Sequence, residues 1–271
     1  MTSSILITGG TGTLGRHTLP LVQDAGFSVR VLSRQAASVR NGTEYVTGDL
    51  FKGEGIEPAL AGIDTVLHLA GGAKGDDVAT RNLAEAAARA GVRHLVHISV
   101  IGVDRVPLAW FKMKQDAERA VTESGVPWTM LRAAQFHDLA LTVVRAMTKF
   151  PVVPVPGGLR WQPVDARDVA ARLAELTLGE PAELVPDLAG PDVFEMGELI
   201  RSYLGAVAAA RGGKRARKVF LPVRMPGKVG RAYRAGDNLA LGGASEGVTE
   251  GARTWEEFLA ERVGEQAVQA V

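Results

Sequence analysis

Ser4-Ile5-Leu6-Ile7-Thr8-Gly9-Gly10-Thr11-Gly12-Thr13-Leu14-Gly15 is the stretch whose reading decides the fold. Its apolar run suits a strand buried on both faces in a parallel sheet. The glycines that follow lead directly into an amphipathic helix expected from about Leu14 to Ala25, with Gly26 as its left-handed cap. Each glycine has its own work. Gly9 permits a tight turn, Gly12 has no Cβ and lets a pyrophosphate approach the backbone, and Gly15 lets the helix pack closely. The start of the helix offers unpaired N–H groups and a positive dipole end to a phosphate. A glycine-rich turn without a ligand is the plainer reading. The strand before and the helix after favour a phosphate cradle.

Working outward, strands and helices alternate. Strands are expected at Ser28–Leu32, Glu44–Val46, Thr65–Ala70, His94–Ser99 and Trp128–Arg132. Helices are expected around Ala36, at Pro58–Gly62, at Asp77–Ala90 and at Ala109–Ser124. This alternation predicts βαβ units, hence an α/β fold with a doubly wound parallel sheet. Such sheets bind ligands beyond the C-terminal strand tips. The candidate binding residues are therefore Gly9, Thr11, Gly12, Thr13, Leu14 and Gly15, then Ser33 and Arg34, Asp49 and Leu50, Ala70, Gly71 and Gly72, Ser99, and Ala134 with Gln135. After Phe150, Pro151, Pro154, Pro156, Gly157 and Gly158 are expected to break regular structure. Helices follow at Ala166–Leu178 and Glu198–Ala210, and a last one starts at Thr254, which is spaced from Glu257 as a capping box. Residues 1–150 read as the nucleotide-binding core, and 151–271 as a small C-terminal substrate lobe that does not fold alone.

The chain has 271 residues, 46% hydrophobic and 23% charged, which is ordinary for a globular protein. A net charge of +1 supplies no global field toward nucleic acid or membrane, so neither is expected as a partner. The absence of cysteine excludes disulfides, thiolate metal sites and a cysteine nucleophile. No signal peptide or membrane-spanning run is read, and a cytoplasmic protein is expected. His94 and His97 lie an odd number of residues apart on one strand and point to opposite faces. His68 reads as a buried strand histidine, and no metal site is expected. From Arg211 to Arg234 every charged residue is basic. Without interleaved aromatics in the run 211–218, this reads as a solvated face, with steering of an anionic ligand left open. Gly243-Ala244-Ser245-Glu246-Gly247 matches a nucleophile elbow, but its flanks are glycine-rich and no histidine follows, so it reads as a loop.

Thr8–Gly15, Val31-Leu32-Ser33-Arg34, Gly48-Asp49-Leu50, His68-Leu69-Ala70-Gly71, His97-Ile98-Ser99, and Lys114 with Glu118 together carry a family resemblance. From about Ser3 to Leu178 the chain resembles the extended and atypical short-chain dehydrogenase/reductase superfamily, specifically its NmrA-like branch. The resemblance implies a Rossmann fold, a bound NAD(P), and a variable C-terminal lobe for substrate. It also implies that Lys114 bridges the nicotinamide ribose hydroxyls, although a surface lysine paired with Glu118 is the plainer reading. One departure stands out. The superfamily's tyrosine, one helical turn before the lysine, is here Trp110. A tyrosine next to an ammonium can protonate a reduced carbonyl, whereas an indole N–H donates a hydrogen bond but keeps its proton.

Arg34 and Ser33 sit where an acid would select NAD, so the expected cofactor is NADP(H). A solvated surface arginine is the alternative. Ser99, Lys114 and His137 are the candidate catalytic residues. Trp110, Gln135, Phe136 and His137 are expected to line the substrate pocket, with a polar loop histidine as the plainer reading of His137. The function expected is an NADPH-dependent oxidoreductase passing hydride to a small conjugated acceptor, quinone-like or dye-like. The alternative is a non-catalytic NADP(H)-binding redox sensor acting through a protein partner. A sugar-nucleotide epimerase is a third reading, weakened by the missing tyrosine.

Overall fold

The structure is a computed structural model and describes residues 4–35, 43–213, 217–240 and 248–269. The helix expected around Ala36 and the loop Gly243–Gly247 lie outside the described residues. In chain order the first elements are β1 (Ser4–Thr8), α1 (Thr13–Asp24), β2 (Ser28–Ser33), β3 (Glu44–Thr47), α2 (Ile56–Leu60), β4 (Thr65–His68), α3 (Asp76–Ala90), β5 (His94–Val100), α4 (Ala109–Thr122) and β6 (Trp128–Ala133). Then come α5 (His137–Met147), β7 (Val152–Gly157), β8 (Arg160–Trp161), α6 (Ala166–Leu178), β9 (Glu183–Leu184), β10 (Asp187–Ala189) and β11 (Phe194–Glu195). The last are α7 (Met196–Ala210), β12 (Val219–Arg224), α8 (Gly227–Ala235), β13 (Val248–Glu250) and α9 (Trp255–Gln269).

The chain divides into two compact units. The first holds residues 1–104, 108–132 and 169–186; the second holds 105–107, 133–168 and 187–271. This division does not coincide with the single boundary expected after residue 150. Residues 133–150 fall in the second unit, and most of α6 returns to the first with β9, whose residues Glu183 and Leu184 pair with Thr129 and Met130 of β6. The first unit's sheet has the order β3-β2-β1-β4-β5-β6-β9. The pairs β3–β2, β2–β1, β1–β4, β4–β5 and β6–β9 run parallel. The order reverses between β1 and β4, the switch point of a Rossmann fold, where a ligand crevice opens beyond the strand tips.

Central strands β1, β4 and β5 are buried almost throughout, as their continuous apolar runs require. On α3, Thr80, Leu83, Ala84 and Ala87 form a helical stripe that packs toward Leu6, Val66 and Leu95. The buried stripe of α4 is Phe111, Lys114, Ala117, Glu118 and Val121, and its two charges need partners.

In the second unit α5, α7 and α9 pack around Leu141, Val144, Leu199, Ile200, Trp255 and Phe258. The Trp255 indole donates to Ser202 Oγ at 2.7 Å. Thr254 and Glu257 form the expected capping contacts at the start of α9. Val248 and Thr249 of β13 pair in parallel with β10, and Leu188 of β10 pairs with Ala133. Regular structure, expected to break after Phe150, continues there. The proline-rich segment after Phe150 is a strand: β7 pairs in parallel with β12 over six residues. Val219 donates its N–H to Pro151 O at 2.9 Å, so alternate residues of each strand face the partner. Pro154 and Pro156 then fall on the open edge, where no ladder donor is needed.

Candidate functional site

A cleft of about 780 Å³ opens in the first unit beyond the tips of β1, β2, β3 and β4. Gly9, Thr11, Gly12, Ser33, Arg34, Asp49, Leu50, Ala70, Gly71 and Gly72 all line it, as the strand-tip rule expects. The three glycines can be separated by what a Cβ would meet. At Gly9, with φ of +72°, it would stand 2.6 Å from Ala70 N. At Gly15 it would stand 2.4 Å from the Gly10 Cα, so this glycine packs the helix on the turn itself. At Gly12 the nearest atom is Gly9 O at 3.2 Å, with nothing else within 4 Å. Gly12 is thus the position whose missing side chain leaves room for a ligand. It is also the N-cap of α1, and no side chain caps that helix end. Leu14 and Gly15 are buried at the start of α1, and Thr13 is exposed beside them.

The sequence reading missed several cleft residues, among them Gln35, Phe51, Lys74 and Asp76. Asp76 matters most. It is buried in the first turn of α3, and its Oδ2 accepts from Lys114 Nζ at 2.8 Å. Lys114 also reaches Ile98 O at 3.4 Å, so one ammonium ties α4 to α3 and β5. Glu118 does not pair with Lys114. Its carboxylate takes the Arg132 guanidinium in a forked contact at 2.9 and 2.7 Å. For Asp76, no local signal in the sequence reveals a partner 38 residues away.

Behind the cleft lies a row of buried polar groups. His68 bridges Thr8 Oγ1 at 2.6 Å and Thr80 Oγ1 at 2.9 Å, and the same Thr8 hydroxyl accepts the Ala70 N–H at 3.3 Å. This strut fixes the residue before Gly9 against both the β4 tip and α3. Burial, reinforced by Lys114 and opposed by Asp76, pushes His68 down to about 4. His97 stacks on His68 at 5.1 Å, and burial drives it well below the ordinary histidine value. Both rings are neutral at pH 7. His94 points to the other face and bonds Thr129 Oγ1 at 2.8 Å. Among the described residues Ser99 Oγ is buried with no hydrogen-bond partner, and neither Ser99 nor Lys114 is among the residues lining the cleft. Trp110, one helical turn before Lys114, is 40% exposed and meets Phe111 edge-on. Among the described residues no cluster of three or more histidines and acids could hold a metal ion.

Ala134, Gln135, Phe136 and His137 belong to the second unit. Ala134 is buried and donates its N–H to Leu188 O. Phe136 pairs with Val164 in an isolated bridge. His137 differs from the expectation of a pocket-lining or loop residue, since it is a buried helix residue. It opens α5 with no exposed surface, and it packs on Trp255 and Phe258 at 5.6 and 5.1 Å. Its Nε2 meets Pro163 O at 3.0 Å. Its Nδ1 lies 3.8 Å from Asp165, too far for a hydrogen bond. Burial would raise the Asp165 carboxyl, but the forked Arg167 guanidinium outweighs it and holds the group well below the usual range.

A family model described as NAD(P)H-binding matches residues 9–178. The chain belongs to this family. It sits with the atypical short-chain dehydrogenase/reductase-like branch, in agreement with the sheet order and the glycine turn. The family's cofactor fits the residues present: the cradle at Gly12 and the cleft volume both suit a nicotinamide dinucleotide. One relative is a (4-alkanoyl-5-oxo-2,5-dihydrofuran-3-yl)methyl phosphate reductase of Streptomyces griseus subsp. griseus, 36% identical over 62% of this chain and 60% of that protein. Another is an NAD(P)H azoreductase of Xenophilus azovorans, 31% identical over 62% of this chain and 60% of that protein. The chain therefore spans about 60% of the length of these relatives. An NADPH-dependent quinone oxidoreductase of Escherichia coli shares the fold, with a TM-score of 0.70 at 20% identity over 95% of this chain and 99% of that one.

Proposed function

We propose that the protein is an NADPH-dependent oxidoreductase that reduces conjugated acceptors such as quinones, enones or azo dyes. The observation that carries this reading is that Trp110 stands one helical turn before the buried Lys114 of α4, where the superfamily's proton donor is expected. When bound, the nicotinamide supplies a hydride. The chain's own groups do the rest. The Gly9–Gly15 turn and the start of α1 hold the pyrophosphate, and Arg34 with Ser33 holds a 2′-phosphate. Asp76 holds Lys114, which would meet the nicotinamide ribose with its ammonium when the cofactor is bound. Ser99 would donate a hydrogen bond to the acceptor's oxygen or nitrogen as charge grows there.

A plain ketone would leave an alkoxide that needs a proton at once, and an indole cannot give one. A conjugated acceptor spreads the charge, and water can protonate it afterwards. Two relatives support this choice by name: one reduces azo compounds, the other an oxo-dihydrofuran whose double bond is conjugated with its carbonyl.

The test is NADPH oxidation across quinones, enones, azo dyes and plain aliphatic ketones. Activated acceptors should turn over at least about 10²-fold faster than ketones, the loss expected when a positioned acid is missing. Equal rates on simple ketones overturn the reading. Tight NADPH binding with no turnover on any acceptor overturns it in favour of a redox sensor, the reading that Trp110 also permits.

A further inference from the structure

The β7–β12 ribbon of the second unit leaves a wholly apolar face to solvent. Directly paired residues of parallel strands share a face, so Val152 with Val219, Pro154 with Leu221, and Pro156 with Val223 stand together. None of the six is polar. Val219 is 64% exposed and Leu221 53%, and Phe150, two residues before Val152, is 69% exposed. A contiguous apolar face of this kind marks an interaction site.

Its edges limit what can cover it. Because Val219 donates to Pro151 O, residues 219, 221 and 223 direct their backbone groups to β7, and 220, 222 and 224 direct theirs outward. Pro222 therefore stands on the open edge of β12, and Pro154 and Pro156 on that of β7. Neither edge offers a continuous row of N–H donors, so an added strand from a peptide or a second copy is blocked. The occupant must lie on the face.

Charge narrows it further. Between Arg211 and Arg234 there are nine basic residues and no acid. Arg217 before β12, and Lys228 and Arg231 after it, are exposed. Lys218 is occupied differently, its ammonium bonding Thr148 O and Phe150 O at 2.8 and 3.0 Å, which fastens the start of the ribbon. A second copy seated on the same face would oppose cation to cation. The face has no side-chain donor or acceptor with which to specify a polar protein surface. An apolar face with flanks of a single, positive sign matches the boundary of an anionic bilayer, where acyl chains take the apolar groups and headgroups meet the cations.

We propose that the β7–β12 face and its basic flanks dock the protein peripherally on an anionic lipid surface. This departs from the sequence expectation of no membrane partner. The net charge of +1 averages out a segment that is entirely basic. No helix among the described residues is long and apolar enough to cross a membrane, so the attachment is at the surface.

The experiment is co-sedimentation of the full chain with vesicles of phosphatidylcholine alone and of phosphatidylcholine with 30% phosphatidylserine, a mixture chosen to give a surface potential of about −30 mV. Binding should be at least about tenfold stronger on the anionic vesicles and fall steeply between 0.05 and 0.5 M salt, roughly the range over which the Debye length shrinks from over 10 Å to under 5 Å. Leu221→Asp, an exposed change that leaves the core intact, should abolish it. Arg217→Glu, at an exposed position just before β12, should weaken it by about fivefold or more, the worth of one basic residue at such a surface. Circular dichroism and NADPH affinity report whether each variant is folded. Equal binding to both vesicle types, or none to either, overturns the proposal. So does a concentration-dependent dimer in the absence of lipid that Leu221→Asp abolishes, which would make the face a contact between copies. Retention by an immobilised acidic peptide but not by anionic vesicles overturns it in favour of a protein partner.

Discussion

The phosphate turn of the first unit and the β7–β12 ribbon of the second are both shaped by residues that lack something. At Gly12 the missing Cβ leaves space in front of a helix N-terminus, and the backbone there is free to meet a ligand. At Pro154, Pro156 and Pro222 the missing N–H closes two strand edges, and the backbone there is barred from further pairing. The first absence opens a site in a cleft at the strand tips, and the second leaves an apolar face that has to be covered side-on. An absent atom has no meaning by itself; its meaning comes from what stands opposite it.

The sharpest way to break this contrast lies within the turn. Gly15→Val should unfold the first unit or prevent its assembly, since the new Cβ would fall 2.4 Å from the Gly10 Cα. Gly12→Val should keep the fold, with a melting temperature near that of the wild type, and lose NADPH binding by about 100-fold or more. Calorimetric titration and thermal melting separate the two. Normal NADPH affinity in folded Gly12→Val would show that the pyrophosphate lies elsewhere.

Next in size is the ion pair beside the cleft. The Asp76 and Lys114 side chains are 1% and 10% exposed, so removing one strands the other. Asp76→Ala should cost about 3–5 kcal/mol of stability. Adding Lys114→Met should recover most of it while abolishing turnover. Urea unfolding of the two single variants and the double variant closes the cycle. Additive losses would show that the pair is not coupled.

The buried histidines predict the acid limit. His68 stays neutral in the fold down to about 4 but takes a proton near 6.5 when unfolded. Its contribution is therefore intact above pH 6.5 and is lost progressively as the pH falls to 4, about 3 kcal/mol in all. His94 and His97 are shifted in the same direction and steepen the fall. Asp165, held low by Arg167, extends the loss below the ordinary carboxylate range. Urea midpoints that stay level from pH 7 to 4.5 would contradict this.

The smallest effect concerns the cofactor's 2′-phosphate. Arg34 is exposed on the cleft wall, so Arg34→Asp should weaken NADPH by about ten- to a hundredfold and spare NADH. Equal wild-type affinities for the two cofactors would remove the case for an NADP(H) site.

Much of the first unit was legible because its signals are local. Strand runs, helical stripes and capping glycines such as Gly26 and Gly91 act over a few residues and need no distant partner to be read. Strand-tip positions followed from the βαβ order, which is why ten of the expected binding residues do line the cleft. The second unit was read less well for the opposite reason. Prolines after Phe150 signal a break wherever a strand needs donors on both sides, and only the pairing with β12 shows that one side is open. His137 follows β6 as a loop residue might, yet α9 closes over it with Trp255 and Phe258.

By itself, then, the sequence determined the α/β alternation, the Gly9–Gly15 turn, the Ser33–Arg34 tip and the absence of a tyrosine before Lys114. Each is a matter of residue type at short spacing, where backbone conformation and side-chain chemistry are set within a turn or a strand. Tertiary structure alone decided that Lys114 is held by Asp76 and not by Glu118, that His68 braces the turn through Thr8, that His137 is core, and that the apolar side of β12 has no partner within the chain's described residues. Those outcomes depend on which groups, far apart along the chain, meet when apolar surface is buried, and burial is also what turns an ordinary charge or donor into one that must find a partner.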